Sequence, residues 1–141
     1  MALICDTSGL FALYDADNRE HAATRAVVES EVGPLLLPVV LLAEIDYLLH
    51  RRLGAESARD FLKAIELGEF ELVPLTDGDV VRCSEVLGQY RDLEIGLADA
   101  AIVAAAERLG IRRLLSFDHR HFRAIKPRTL DHFVLLPADA P

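Results

Sequence analysis

The sequence predicts an α/β fold, a three-layer sandwich in which helices cover both faces of a central parallel sheet. Two observations predict it. Short apolar runs alternate with amphipathic helical stretches along the whole chain. Most of the runs, such as Leu35-Leu36-Leu37, lack a polar alternation, the pattern of strands buried on both faces.

The elements follow in order. Ala2 to Cys5 reads as a buried strand that runs into Asp6-Thr7-Ser8-Gly9, a loop with helix-capping residues. Leu10, Phe11, Leu13 and Tyr14 carry helical spacing up to Asp15-Ala16-Asp17-Asn18, which reads as a turn and a new N-cap. A second helix is expected from about Arg19 to Glu31, broken by Gly33-Pro34. Leu35 to Leu37 is the next strand, and Pro38 suits the first position of a helix that glycine ends after Leu53. Ser57 to Leu67 is helical, and Phe70 to Leu75 has the character of a strand. Thr76-Asp77 caps a helix reaching Tyr90, and the alanine-rich stretch Ala98 to Leu109 is a helix stopped by Gly110. Leu114 to Phe117 is a strand, Arg120 to Ala124 a short helix, and Phe133 to Leu136 a last strand. Residues 1–136 thus read as one domain and 137–141 as a short, loose tail.

Composition bounds the function. The chain has 141 residues, and a hydrophobic fraction of 52% is ample for one buried core. Charges and prolines interrupt every long apolar stretch, so no membrane span is expected, and the N-terminus carries no basic leader. A cytoplasmic protein with Cys5 and Cys83 as free thiols is the expectation. The net charge of −8 argues against a globally basic nucleic-acid surface. Between Arg112 and Arg128, however, Arg112, Arg113, Arg120, Arg123, Lys126 and Arg128 face one acid, Asp118, which leaves room for a local basic rim.

In open parallel sheets ligands bind at the carboxyl ends of the strands, so acids that follow strands carry the most information. Asp6 follows the first strand, Asp118 follows the strand ending near Phe117, and Asp99 opens a helix whose start belongs at the same end. Glu44 joins them by helical geometry: on a helix from Pro38 it lies within about 40° of Leu48, beside the apolar stripe, with Asp46 pointing away. Each acid has a structural alternative. Asp6, Asp99 and Asp118 can serve as helix-terminal or turn residues, and Glu44 can reach solvent. Four carboxylates at one sheet edge repel one another unless a multivalent cation offsets them. With no cysteine pair, and no histidine at ligand spacing to the acids, the set selects a hard ion, Mg2+ or Mn2+. Such ions work on phosphates. Asp92 and Glu94 read as solvated loop acids, and His119 and His121 as surface histidines near the site.

Asp6-Thr7-Ser8, Leu42-Ala43-Glu44-Ile45, Leu97-Ala98-Asp99-Ala100-Ala101-Ile102-Val103, and Leu115-Ser116-Phe117-Asp118 with His121-Phe122 resemble the successive motifs of the PIN-domain nucleases. In particular, the chain resembles the VapC toxins of prokaryotic toxin-antitoxin pairs. The resemblance covers nearly the whole chain. It implies an α/β/α PIN fold and divalent-metal-dependent cleavage of RNA. Asp6, Glu44, Asp99 and Asp118 would form the site, with Asp6 and Asp99 touching the metal most directly. Thr7, Ser8 and Ser116 would support it by hydrogen bonds, Ser116 standing where threonine is common. Arg112, Arg113, Arg120 and Arg123 are candidate contacts to RNA phosphates. The resemblance also implies a homodimer and a cognate antitoxin packed over the catalytic groove. Leu10, Phe11, Leu13, Tyr14 and Leu48 could serve such contacts, though the core is their ordinary place.

Two other classes remain on the page. A PIN-fold module without activity would act only through protein contacts, but none of the four acids is substituted. A receiver-like phosphoacceptor domain also sets aspartates at strand ends. It lacks support here, because no adjacent acidic pair follows the first strand and the only lysine near the last strands is Lys126.

Overall fold

The computed structural model describes residues 1–141. Five short strands, β1 (Leu3–Cys5), β2 (Leu35–Pro38), β3 (Glu71–Val73), β4 (Arg113–Leu115) and β5 (Val134–Leu136), form one sheet in the order β3-β2-β1-β4-β5. Every pairing is parallel. Leu3, Ile4, Cys5, Leu37, Leu114, Leu115 and Leu135 are completely buried, as strands sandwiched between two helical layers require.

The helices are α1 (Thr7–Tyr14), α2 (His21–Ser30), α3 (Leu42–Leu53), α4 (Ala55–Glu66), α5 (Asp77–Gln89), α6 (Leu97–Leu109) and α7 (His119–Ala124). Helix α1 packs with α2 and α3, α3 with α4, and α5 with α6. Leu10, Ile45, Leu49 and Phe61 come from the first group and Val86, Ile102 and Val103 from the second, and all join one apolar core. Two ion pairs bolt α5 to α6: Arg82 Nε to Glu107 at 2.7 Å, and Arg108 Nη2 to Asp79 at 3.0 Å.

The chain runs β1, β2, β3 toward one edge and then returns to β4 and β5 on the other side of β1. The strand order therefore reverses between β1 and β4, the place where α/β sheets open a crevice at their carboxyl ends. Cys5 is paired with Leu115, and the Asp6 N–H donates to Leu115 O at 3.0 Å, so the residues leaving both strands emerge side by side. Helix α1 must start close to this pair. Gly9 permits it, because a Cβ there would lie 2.3 Å from Leu115 O.

Three expectations are corrected. Pro38 does not open a helix: with φ −57° and ψ 126° it ends β2, and a single 3-10 turn, Val39–Leu41, carries the chain into α3. Proline's fixed φ suits an extended residue as well as a first helical turn, so spacing alone did not separate the two. Asn18 does not cap α2 directly; its Oδ1 accepts from Glu20 N–H in the turn before the helix. Nor is the C-terminus loose. Asp139 accepts from Leu135 N–H at 2.8 Å and forms a two-pronged pair with Arg123. Both cysteines are free and buried, and no helix is long and apolar enough to cross a membrane.

Candidate functional site

At the carboxyl ends of β1 and β4 the structure ties three of the four acids into one hydrogen-bonded network. Asp6 caps α1: its Oδ1 accepts from Thr7 N–H at 2.8 Å, and its Oδ2 accepts from the Ser116 hydroxyl at 2.6 Å. Ser116, completely buried, also accepts the Asp118 N–H at 3.0 Å. One hydroxyl thus bridges the carboxylate after β1 to the backbone of the acid after β4. Ser8 adds a second bridge. Its Oγ accepts from Phe117 N–H at 2.9 Å and lies 3.5 Å from Asp6 Oδ2.

Asp118 and Asp99 meet across a histidine. His121 Nδ1 lies 2.8 Å from Asp118 Oδ2 and 2.9 Å from Asp99 Oδ2. Asp118 also caps the short helix α7, accepting from His121 N–H, so the cap that starts the helix fixes the imidazole. Asp99 lies in the first turn of α6, and one ligand atom from each of Asp99, Asp118 and His121 falls within 4.8 Å of the others.

The electrostatics are those of crowded, partly dehydrated acids. Burial pushes the Asp6 carboxyl up to about 6, against its hydrogen bonds from Ser116 and Thr7, and the charges of Asp99 and Asp118 add to the rise. Asp99 is raised by burial and by Asp118, against the pull of His121, and Glu44 contributes to the rise. Burial works against a charged His121, but Asp118 and then Asp99 outweigh it and hold its proton more tightly than usual. Such a set fits a divalent cation: its donors are carboxylate oxygens with one imidazole nitrogen, and a positive ion would remove the repulsion that raises the acids.

Several sequence expectations change at the level of side chains. Glu44 sits in the first turn of α3, but it is exposed and Asp46 is half-buried. The buried line is Ile45 and Leu49, and measured from its centre Glu44 lies about 120° away and Asp46 about 80°. Glu44 makes no hydrogen bond to the other acids, and its link to them is a minor contribution of its charge to the rise at Asp99. Thr7 supports Asp6 through its backbone N–H, while its hydroxyl is buried without a partner.

The basic rim dissolves. Arg112 precedes β4 and Arg113 opens it, so both lie at the amino ends of the strands, in a hollow with Met1 and Ala2, opposite the acids. Arg113 is bound to Glu31 at 2.7 Å, Arg123 to Asp139, and Arg128 to Glu85. Of the four candidate phosphate contacts, Arg112 and Arg120 are exposed and outside these pairs, and of those two only Arg120 stands at the acid end, beside His121 on α7. His121 is the residue that sequence reasoning set aside. The signal was present: a position three residues after Asp118 on a helix lies on the same face as its cap.

Comparison with known proteins supplies a separate finding. Residues 3–126 match the profile of the PIN domain. The chain is 33% identical over 135 residues to Ribonuclease VapC26 of Mycobacterium tuberculosis, covering 96% of this chain and 100% of that protein. Among solved structures it is similar to VapC20 of Mycobacterium tuberculosis, described as a sarcin-ricin loop cleaving toxin. The TM-score is 0.75 and the identity 26%, over 82% of this chain and 89% of that one. VapBC2 of Rickettsia felis, solved with a promoter DNA fragment, shares the fold with a TM-score of 0.68 at 15% identity, over 96% and 97% of the two chains.

Proposed function

The chain belongs to the PIN-domain family and, within it, to the VapC proteins, and from that premise we propose that it is an endoribonuclease toxin with a divalent-metal site built on Asp6, Glu44, Asp99 and Asp118. The observation that carries the proposal is the network at the carboxyl ends of β1 and β4, where Asp6, Ser116, Asp118, His121 and Asp99 are connected in sequence by hydrogen bonds. Nothing in packing alone requires acids whose own neighbours resist their ionisation.

Asp6 and Asp99 would hold the ion most directly, joined by Asp118 and, through its exposed carboxylate, Glu44. A Mg2+ or Mn2+ ion held there would supply positive charge to the phosphodiester and lower the pKa of water so that hydroxide becomes available as the nucleophile. The protein's own residues do the rest. Ser116 and Ser8 aim Asp6 and anchor the loop that carries Asp118, so the carboxylates are fixed before substrate arrives. His121 sets the spacing of Asp99 and Asp118 and stands close enough to contribute a nitrogen ligand. Arg120 lies where it can meet a flanking phosphate.

A cognate antitoxin covering this site, and a homodimer, complete the reading. The chain is 33% identical to a protein named as a ribonuclease and similar to a structure described as a sarcin-ricin loop cleaving toxin. The decisive experiment is incubation of the purified protein with total RNA in Mg2+ or Mn2+. Discrete fragments, lost with EDTA and in Asp99→Asn, are the expected outcome. Intact RNA from folded, metal-loaded protein would leave a PIN-fold binding module instead.

A further inference from the structure

Beside the acids a cleft of about 590 Å³ opens between α1, the turn that follows it, the end of α3 and the loop joining β4 to α7. It begins at Ser8 and Phe117, whose mutual hydrogen bond belongs to the acid network, so the two spaces are continuous. Its chemistry is mixed in a particular way. Phe11 and Phe117, both half-buried, give it aromatic faces. Arg19 and Arg52 give it two exposed guanidinium groups in a chain of net charge −8.

Those cations are available. Arg52 joins none of the molecule's ion pairs, and Arg19 has only a loose contact with Glu20 at 3.6 Å, its side chain 93% exposed. Glu20 is the one acid on the cleft wall. Asn18, another wall residue, uses its carbonyl oxygen on Glu20 N–H and has its amide hydrogens to offer. His119 also lines the cleft, and its Nε2 is enclosed without a partner.

We propose that this cleft binds the nucleotides of single-stranded RNA that flank the scissile phosphate, with Arg19 and Arg52 on phosphates and Phe11 and Phe117 as stacking faces. The proposal rests on the ribonuclease reading and extends it to the path of the substrate. Guanidinium groups and aromatic faces in one groove are what an unpaired nucleotide needs, because its base is free to stack while its backbone stays charged. A duplex keeps its bases stacked inside and offers no face to Phe11 or Phe117. The volume lies within the range of about 300–1,000 Å³ typical of small-ligand pockets, room for about one or two nucleotides.

The test uses the native protein in Mg2+ and a short, fluorescent, mixed-sequence single-stranded RNA whose linkages are non-hydrolysable phosphonates that keep the backbone charge, with affinity read by anisotropy across a salt series. Arg52→Gln and Arg19→Gln are compared with Arg112→Gln, which lies at the opposite end of the sheet. Each cleft variant is expected to weaken binding about tenfold and to reduce the salt slope by about 0.7, the effect of one lost phosphate contact on a single strand, while Arg112→Gln changes neither. Both side chains are exposed, so thermal unfolding should be unaltered and loss of fold is separable from loss of contact. Cleft variants that bind like the parent overturn the proposal and leave the basic cleft to a protein partner. A parent that binds no RNA at all overturns the ribonuclease reading beneath it.

Discussion

Asp6 is held in a place that resists its charge. Buried, and close to two other acids, its carboxyl is pushed up to about 6 even though Ser116 and Thr7 donate to it. A group whose folded pKa is raised contributes stability that is full below its unfolded value and is lost as pH rises through the folded one. At neutral pH, then, ionised Asp6 costs the metal-free protein on the order of 2–3 kcal/mol. Asp6→Asn should abolish RNA cleavage and at the same time stabilise the metal-free protein by about 1–3 kcal/mol, read by urea unfolding at neutral pH in EDTA. A destabilised Asp6→Asn protein would mean that its hydrogen bonds outweigh its dehydration. His121 calls for a different test. If its nitrogen enters the metal shell, it favours Mn2+ over Mg2+, which prefers oxygen and water. His121→Gln should therefore lower Mn2+ affinity about tenfold, by calorimetry, with little change for Mg2+. Equal losses for both ions would show that His121 only spaces the two aspartates.

The elements were largely legible in the chain because their signals are local. Strong caps and stops, such as Thr76 with Asp79 at α5 and Gly110 after α6, put helix ends close to where the sequence placed them. What escaped depended on more than one element. Whether Pro38 ended a strand or began a helix was settled by its pairing beside Val73. The tilt of α3, which exposes Glu44, was set by the line of Ile45 and Leu49 against the core. The position of Arg112 and Arg113 was readable in principle, since residues before a parallel strand lie at its amino end, away from the acids. Two predictions belong at this scale. Gly9→Ala would press a methyl group into the backbone of β4, so α1 must lift and drag Asp6 from Ser116; about 1–3 kcal/mol of stability should be lost, together with most metal affinity. Unchanged metal binding in a destabilised Gly9→Ala protein would show that the site does not depend on this close approach. The α5–α6 bolt predicts an acid response. Burial raises Asp79, but Arg108 and Thr76 outweigh it and hold the carboxyl below its ordinary value. The stability it contributes is present above the unfolded pKa, near 4, and disappears as pH falls below that. Urea midpoints of the native protein should drop more steeply below about pH 4 than those of Arg108→Leu. Parallel curves would assign acid sensitivity to other pairs.

For the whole molecule the question is how a chain of net charge −8 handles a polyanion. The answer lies in distribution. Half of the six cations from Arg112 to Arg128 are engaged within the fold, on Glu31, Asp139 and Glu85, while Asp6, Asp99 and Asp118, none of them paired with an arginine, gather at one sheet edge. Sequence reasoning saw the acids because they follow strands, but it overvalued the arginines because ion pairing between distant segments leaves no trace in spacing. A divalent ion at the cluster would convert the least hospitable surface for RNA into the most favourable one, and it would also relieve the repulsion stored there. Binding that is specific to the folded state must appear as stability: at about a hundredfold excess over the dissociation constant it is worth about 2.7 kcal/mol, or roughly 5–10 °C in Tm. Mn2+ or Mg2+ should therefore raise the Tm of the native protein by that amount at constant ionic strength, and EDTA should reverse it. In Asp99→Asn the rise should largely vanish. A rise of the same size in Asp99→Asn would identify general screening of a highly acidic chain, and no rise in the native protein would remove the ion from the cluster altogether.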